Sequence, residues 1–157
     1  MTEKFRLTNG ALYALLLVGQ TIAVSVLLLM VFPIFQSVIT HLGQQQTISV
    51  VDQVSISAVA FILHCCYWAR LSWVAVTVPF KNTLVSHLCI FVGRLSFLFG
   101  GALFSAVFFR HVPELDVLPT IGQSIARVSY TALTLFGLFC YSLELDRLGW
   151  ALEPDRR

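Results

Sequence analysis

Charge is what this sequence has least of. Only 11% of its 157 residues are Asp, Glu, Lys or Arg, against 57% hydrophobic residues and a mean hydropathy of +0.83. That balance excludes an ordinary soluble domain. The sequence also has no basic run and no glycine-rich phosphate loop, and its net charge is only +2. These absences argue against direct binding of nucleic acid.

The hydrophilic parts of the chain contain no cysteine. All four cysteines fall within apolar runs, where we expect reduced, buried thiols: Cys65, Cys66, Cys89 and Cys140. Haem ligation by two histidines needs both rings at one depth, and folding the chain about residue 81 sets His64 opposite Leu98 rather than His87. We therefore expect no disulfide, no metal site and no cofactor.

Four long apolar runs make up most of the chain, at residues 11–35, 54–78, 84–109 and 125–145. A run of about 20 residues crosses a ~30 Å hydrocarbon core as a helix, and in lipid only a helix satisfies the backbone of a single span. The sequence therefore predicts an all-α integral membrane protein. Its four transmembrane helices should form one antiparallel bundle, a single domain over residues 1–157.

Prolines, capping residues and an interfacial tryptophan predict where these helices begin and end. Pro33 should bend or end the first helix. Asp52 is a candidate N-cap for the second helix, and Pro79 should end it. Trp150 follows the fourth run and suggests a short interfacial tail.

Positive residues are distributed unevenly across the predicted membrane. Eight of the ten Lys and Arg residues fall at the two termini, in the second loop, or in the helix halves nearest that loop. Because positive residues favour the cytoplasm, we expect both termini there and the protein in the inner membrane.

Four ionisable side chains near the predicted cytoplasmic face of the membrane are candidate functional groups, because charges within membrane spans are costly. Similar lengths of chain separate Arg70 and Arg94 from the turn, so both should lie at one depth. The fourth helix delivers Glu144 and Asp146 to the same side. One interpretation is a single intramembrane salt-bridge cluster of all four residues. The other is an anion or lipid-headgroup site formed by the two arginines.

Polar and small residues recur along the fourth helix at steps of three and four. This spacing predicts one continuous face, a polar stripe comprising Gln123, Arg127, Tyr130, Thr134, Gly137, Tyr141 and Glu144. Such a stripe either packs at a helix interface or lines a wetted path.

The third helix carries a second pattern, of small residues four apart. Ser96 with Gly100, and Gly101 with Ser105, are small-xxx-small pairs. Such pairs let helix backbones approach closely, within one chain or between copies.

These patterns favour a role in association rather than catalysis, and no catalytic residues are identified. We expect a non-enzymatic inner-membrane protein that works as a homo-oligomer, as a sensor or an ion-conducting assembly, or that anchors a larger complex. Its expected partners are the lipid bilayer and further copies, with a cytoplasmic protein as a further candidate. The alternative is a small transporter or lipid-handling enzyme that uses Arg70 and Arg94 as an anion site.

Overall fold

The computed structural model describes residues 2–41, 49–76, 78–110 and 121–154, and all side chains among them except those of 2–8, 50, 107–110, 123, 124, 126 and 127. Within these residues the chain is helical apart from short connections, and it contains no strand. The helices are α1 (Thr2–Thr40), α2 (Val50–Trp73), α3 (Thr83–Arg110) and α4 (Ile121–Leu152).

All four helices are long and apolar enough to cross a membrane. The qualifying segments are Asn9–Thr40, Val51–Trp73, Thr83–Ala106 and Val128–Leu152. Large apolar side chains are widely exposed on their outer surfaces, among them Leu15, Leu29, Phe61 and Leu98. Exposure of this kind suits contact with lipid, and the four helices indicate a multi-pass membrane protein.

The first helix is longer than predicted at both ends. It contains Pro33 in its interior and continues to Thr40, so of the two predicted effects of Pro33, bending or ending the helix, the second does not occur. Proline removes one backbone hydrogen bond, but membrane helices tolerate this loss because local adjustments and neighbouring helices satisfy the freed carbonyl.

The second helix begins one turn earlier and ends earlier than predicted. Its N-cap is Ser49, whose Oγ accepts a hydrogen bond from the Val51 N–H (3.2 Å), while Asp52 lies in the first turn. It ends at Trp73, because Val74 is extended (φ −132°, ψ 126°). A β-branched run before proline favours extended backbone, so the helix stops before Pro79 rather than at it.

The fourth helix continues to Leu152, where an interfacial tail was predicted. Its last turn packs on the start of α3, and the Leu152 carbonyl accepts a hydrogen bond from the Asn82 N–H (2.9 Å). Gly149 makes this approach feasible, because a Cβ there would lie 2.5 Å from Ile90 Cγ1 and 3.0 Å from the Ser86 carbonyl oxygen.

Contacts between helices define their relative directions. A Cβ built on Gly93 meets Leu145, and one on Gly149 meets Ile90, so α3 and α4 run antiparallel. In α1 and α2, Gly19 lies near Cys66, and the Tyr13 ring lies near Arg70, so this pair is antiparallel too. The apolar core lies between the helices and includes Leu27, Leu63 and Leu138.

Candidate functional site

A buried ion pair joins α2 to α4. Arg70 Nε lies 2.6 Å from Glu144 Oε1, and the two side chains are 5% and 0% exposed. Arg70 comes one turn before the end of α2, whereas Glu144 comes two turns before the end of α4. Breaking a buried pair strands the remaining charge, so this contact fixes how the two helices align.

Two further residues complete the group that we call the inner charge cluster: Tyr13, Arg70, Glu144 and Arg147. The Arg70 guanidinium lies over the Tyr13 ring, 5.5 Å from its centroid, which is a cation–π geometry. Arg147 Nη1 lies 3.8 Å from Glu144 Oε2, and the Arg147 side chain is 43% exposed. Three helices, α1, α2 and α4, therefore meet at one carboxylate.

Close contact between opposite charges holds this cluster together, and the Tyr13 hydroxyl also lies within hydrogen-bonding range of the Glu144 carboxylate. Gln20, one heptad after Tyr13 on α1, is fully buried, and neither polar atom of its amide has a hydrogen-bond partner within the described part of the chain. Removing one member of the ion pair would leave the other charge buried without its partner, so the cluster should be sensitive to such substitutions.

The polar stripe of α4 faces the other helices wherever its side chains are described. Thr134, Tyr141 and Glu144 are buried and Tyr130 is half-buried. The Tyr141 hydroxyl donates to Thr21 Oγ1 on α1 (3.1 Å). The side chains of Gln123 and Arg127, which the prediction included, lie outside the described residues.

Gly137 on the same stripe admits a histidine from α2. A Cβ at Gly137 would lie 3.2 Å from His64 Nε2, which donates to the Leu133 carbonyl oxygen (3.0 Å). The stripe thus meets polar groups of the same chain on both α1 and α2, as an internal packing face would.

The small residues of α3 divide into two rows. Gly100 is buried, and a Cβ built there would collide with Leu138 of α4. Gly101 has no such neighbour within 4 Å, and Ser96 and Ser105 are half-buried. The close contact with α4 follows a heptad that sequence reasoning missed, formed by Ser86, Gly93 and Gly100.

Arg94 and Asp146 do not belong to the inner charge cluster, which corrects the expectation of one four-residue group. Arg94 is exposed on α3, and among the described residues no acidic side chain pairs with it. Asp146 is half-buried, and its enclosed Oδ1 has no hydrogen-bond partner in that same part of the chain. Each lies one residue, about 100°, beyond the α3–α4 contact at Gly93 and Leu145, which turns both away from α2.

Sequence reasoning overlooked three inner polar residues: Tyr13, Gln20 and Arg147. A signal for the first two was present, because Tyr13, Gln20 and Leu27 are spaced by seven and all are buried. Arg147 falls in the positively charged C-terminal tail of the predicted topology, because the predicted fourth helix ends at residue 145.

Among the residues that the structure describes, no group of three or more His, Cys, Asp or Glu side chains could hold a metal ion. The four cysteines are free thiols, and only Cys140 is fully buried. Comparison with protein-family models, curated proteins and solved structures gives no match.

Proposed function

We propose that this chain is a non-enzymatic protein of the inner membrane that works as a homo-oligomer. In this proposal its four helices form one antiparallel bundle with both termini cytoplasmic. Two features support it: the buried Arg70–Glu144 pair joins helices of the same chain, and α3 carries an arginine, Arg94, that the described residues leave exposed.

The observation that carries the proposal is the exposure of Arg94. It lies eleven residues into α3 (Thr83–Arg110), at the level of the Glu144–Arg70 pair, and its side chain is exposed. A charged side chain within a membrane helix is costly, by about 2.5–3.5 kcal/mol at the bilayer centre on insertion scales. A neighbouring protein that covers Arg94 would remove much of that cost, which makes association the simplest role for this face.

The proposed orientation rests on positive charge. Lys4, Arg6, Lys81, Arg147 and the two C-terminal arginines would all face the cytoplasm. A reporter fused after residue 157 should be active only in the cytoplasm. Activity of a periplasmic reporter at that position would contradict the orientation.

The transporter or enzyme alternative loses its geometric support. It needed Arg70 and Arg94 to share one anion, but Arg70 is paired with Glu144 while Arg94 is exposed. An ion path between copies could not be lined by the polar stripe of α4, because the described residues of that stripe face the other helices of the same chain. Anchoring of a larger complex is the second candidate, because a different chain could equally cover Arg94.

Photocrosslinking in the native membrane tests the proposal. A photoreactive residue at Leu98, four residues after Arg94 and 68% exposed, should give an adduct of twice the chain mass. Ile22 is the matched control, because it is 59% exposed and lies near the same level through the adjacent Thr21–Tyr141 contact. Equal yields at both positions, or no adduct at Leu98, would contradict the proposal. An adduct of another mass would favour the anchoring role.

A further inference from the structure

Arg94 and Asp146 lie on the same outer side of the α3–α4 pair. Gly93 and Leu145 meet across this pair, and each is followed directly by one of the two charged residues. Because α3 and α4 are antiparallel, one step forward from the contact turns both chains toward the same side. The opposite step on α4 reaches Glu144, which faces inward to Arg70.

The two charges also lie at nearly one depth. With Gly93 level with Leu145, Arg94 is level with Glu144, and Asp146 is two residues further along, about 3 Å at the helical rise. They nevertheless form no ion pair with each other in the described structure. A cation and a carboxylate therefore lie side by side on the outer side, the arginine exposed and the aspartate half-buried, and neither is paired with an opposite charge among the described residues.

Membrane topology restricts how a second copy can meet this face. Two copies with the same orientation are related by an axis along the membrane normal, which preserves the depth of every residue. A two-fold interface is isologous, so residue i of one copy meets residue j of the other and the reverse also holds. Arg94 of each copy would then meet Asp146 of the other within about 3 Å of its own depth, whereas contact through α3 alone would oppose two arginines.

The shape of the face suits a close approach. Gly101 lies one heptad after Arg94, and a Cβ built on it meets nothing within 4 Å. Phe139 lies one heptad before Asp146, is 41% exposed, and stacks edge-on against Phe97 with ring centroids 5.6 Å apart. The open row of α3 can thus receive the projecting row of α4 from a second copy.

We propose that the chain forms a two-fold homodimer through the outer α3–α4 face, with reciprocal Arg94–Asp146 ion pairs between copies. This inference rests on the proposed homo-oligomeric function and names its interface. The occupant is a second copy because the face carries both charges of the pair, and a partner bearing only a carboxylate would leave Asp146 opposed.

Complementation in trans tests the reciprocal pairing. Arg94→Glu makes the face wholly acidic, and Asp146→Arg makes it wholly basic. Each variant alone should lose at least about tenfold in dimer affinity, since both intermolecular pairs become like-charged. An equimolar mixture in lipid vesicles should recover heterodimers, detected by energy transfer between donor- and acceptor-labelled chains. Asp52→Asn, an exposed acid at the far end of α2, is the control and should dimerise normally.

Conservative variants distinguish loss of the ion pair from misfolding of the chain. Arg94→Gln and Asp146→Asn should weaken dimerisation in the same direction while leaving the helical content unchanged. The inference fails if the two charge-reversed variants fold but their mixture forms no heterodimer. It fails likewise if dimerisation returns only in the double variant Arg94→Glu/Asp146→Arg, because the pair would then be intramolecular.

The remaining outcomes separate this interface from the proposed function. Dimers that withstand all four variants would overturn the interface and leave homo-oligomerisation intact. A wild-type chain that is monomeric at the highest protein-to-lipid ratio would overturn both.

Discussion

Two carboxylates on α4 are two residues apart and have opposite surroundings. Glu144 is fully buried and paired with Arg70, whereas Asp146 is half-buried on the outer side beside the exposed Arg94. Arg70 and Arg94 lie near one depth, so depth in the membrane does not explain why only Arg70 is paired. The difference comes from the side of its helix on which each residue lies. Glu144 and Asp146 point about 200° apart around α4, so Glu144 contacts Arg70 within the chain whereas Asp146 lies on the side that we propose for association.

The two regions also differ in what a substitution should disturb. The inner pair links α2 to α4 within one chain, so its loss should appear in folding stability. The outer charges contact no oppositely charged group in the described part of the chain, so their loss should leave the monomer folded and appear in assembly. If a substitution in either region changed both the stability of the monomer and its assembly, the two regions would not have separate roles.

The largest effect is expected for Glu144→Leu. Removing this carboxylate leaves the Arg70 guanidinium buried without its counter-charge, which typically costs about 3–5 kcal/mol. The measurement is the free energy of unfolding in mixed detergent micelles, at a dilution where the chain is monomeric. Asp146→Leu is the matched control, and it should change that free energy by about 0.5 kcal/mol or less.

The same measurement of unfolding free energy gives the coupling between Arg70 and Glu144. The double variant Arg70→Leu/Glu144→Leu should be much more stable than the sum of the single losses predicts, because it removes both charges together. Strict additivity would mean that the pair does not link α2 to α4.

A smaller effect should separate the two glycine rows of α3. A Cβ at Gly93 would lie 3.0 Å from Leu145 Cβ and 3.2 Å from the Ser142 carbonyl oxygen, whereas one at Gly101 meets nothing within 4 Å. Gly93→Ala should therefore lower the free energy of unfolding by about 1–3 kcal/mol through overpacking. Gly101→Ala should be neutral or gain up to about 1 kcal/mol from its higher helix propensity.

A bulkier change sharpens the same contrast. Gly101→Leu should leave unfolding of the monomer unchanged but weaken the dimer, measured by energy transfer in vesicles. Equal destabilisation by Gly93→Ala and Gly101→Ala would show that the two rows are not inner and outer.

Hydropathy predicted the four helices because apolar length is a property of each segment alone. Helix ends depend on weaker local choices, and most of those of α1, α2 and α4 differ from the prediction: α1 runs through Pro33, α2 ends at Trp73, and α4 continues past Trp150. The inward face of α4 followed from its spacing. The separation of Arg94 from Arg70 did not, because it depends on how α3 rotates against α4. That rotation is set by the contacts of Gly93 and Gly149, which pattern analysis had not singled out.

The smallest effect expected on the inner side concerns one hydrogen bond between α1 and α4. The Tyr141 hydroxyl donates to Thr21 Oγ1 at 3.1 Å. Such interhelical bonds in membranes average about 0.6 kcal/mol, so Tyr141→Phe should lower the free energy of unfolding by roughly that amount. Adding Thr21→Val should cost less than its own single loss, since the bond is already gone. Ser25→Ala is the control, because Ser25 Oγ donates only to the Thr21 carbonyl oxygen of its own helix (2.8 Å). If that control costs as much as Tyr141→Phe, the bond between α1 and α4 contributes nothing specific, and charge and packing alone align the inner face.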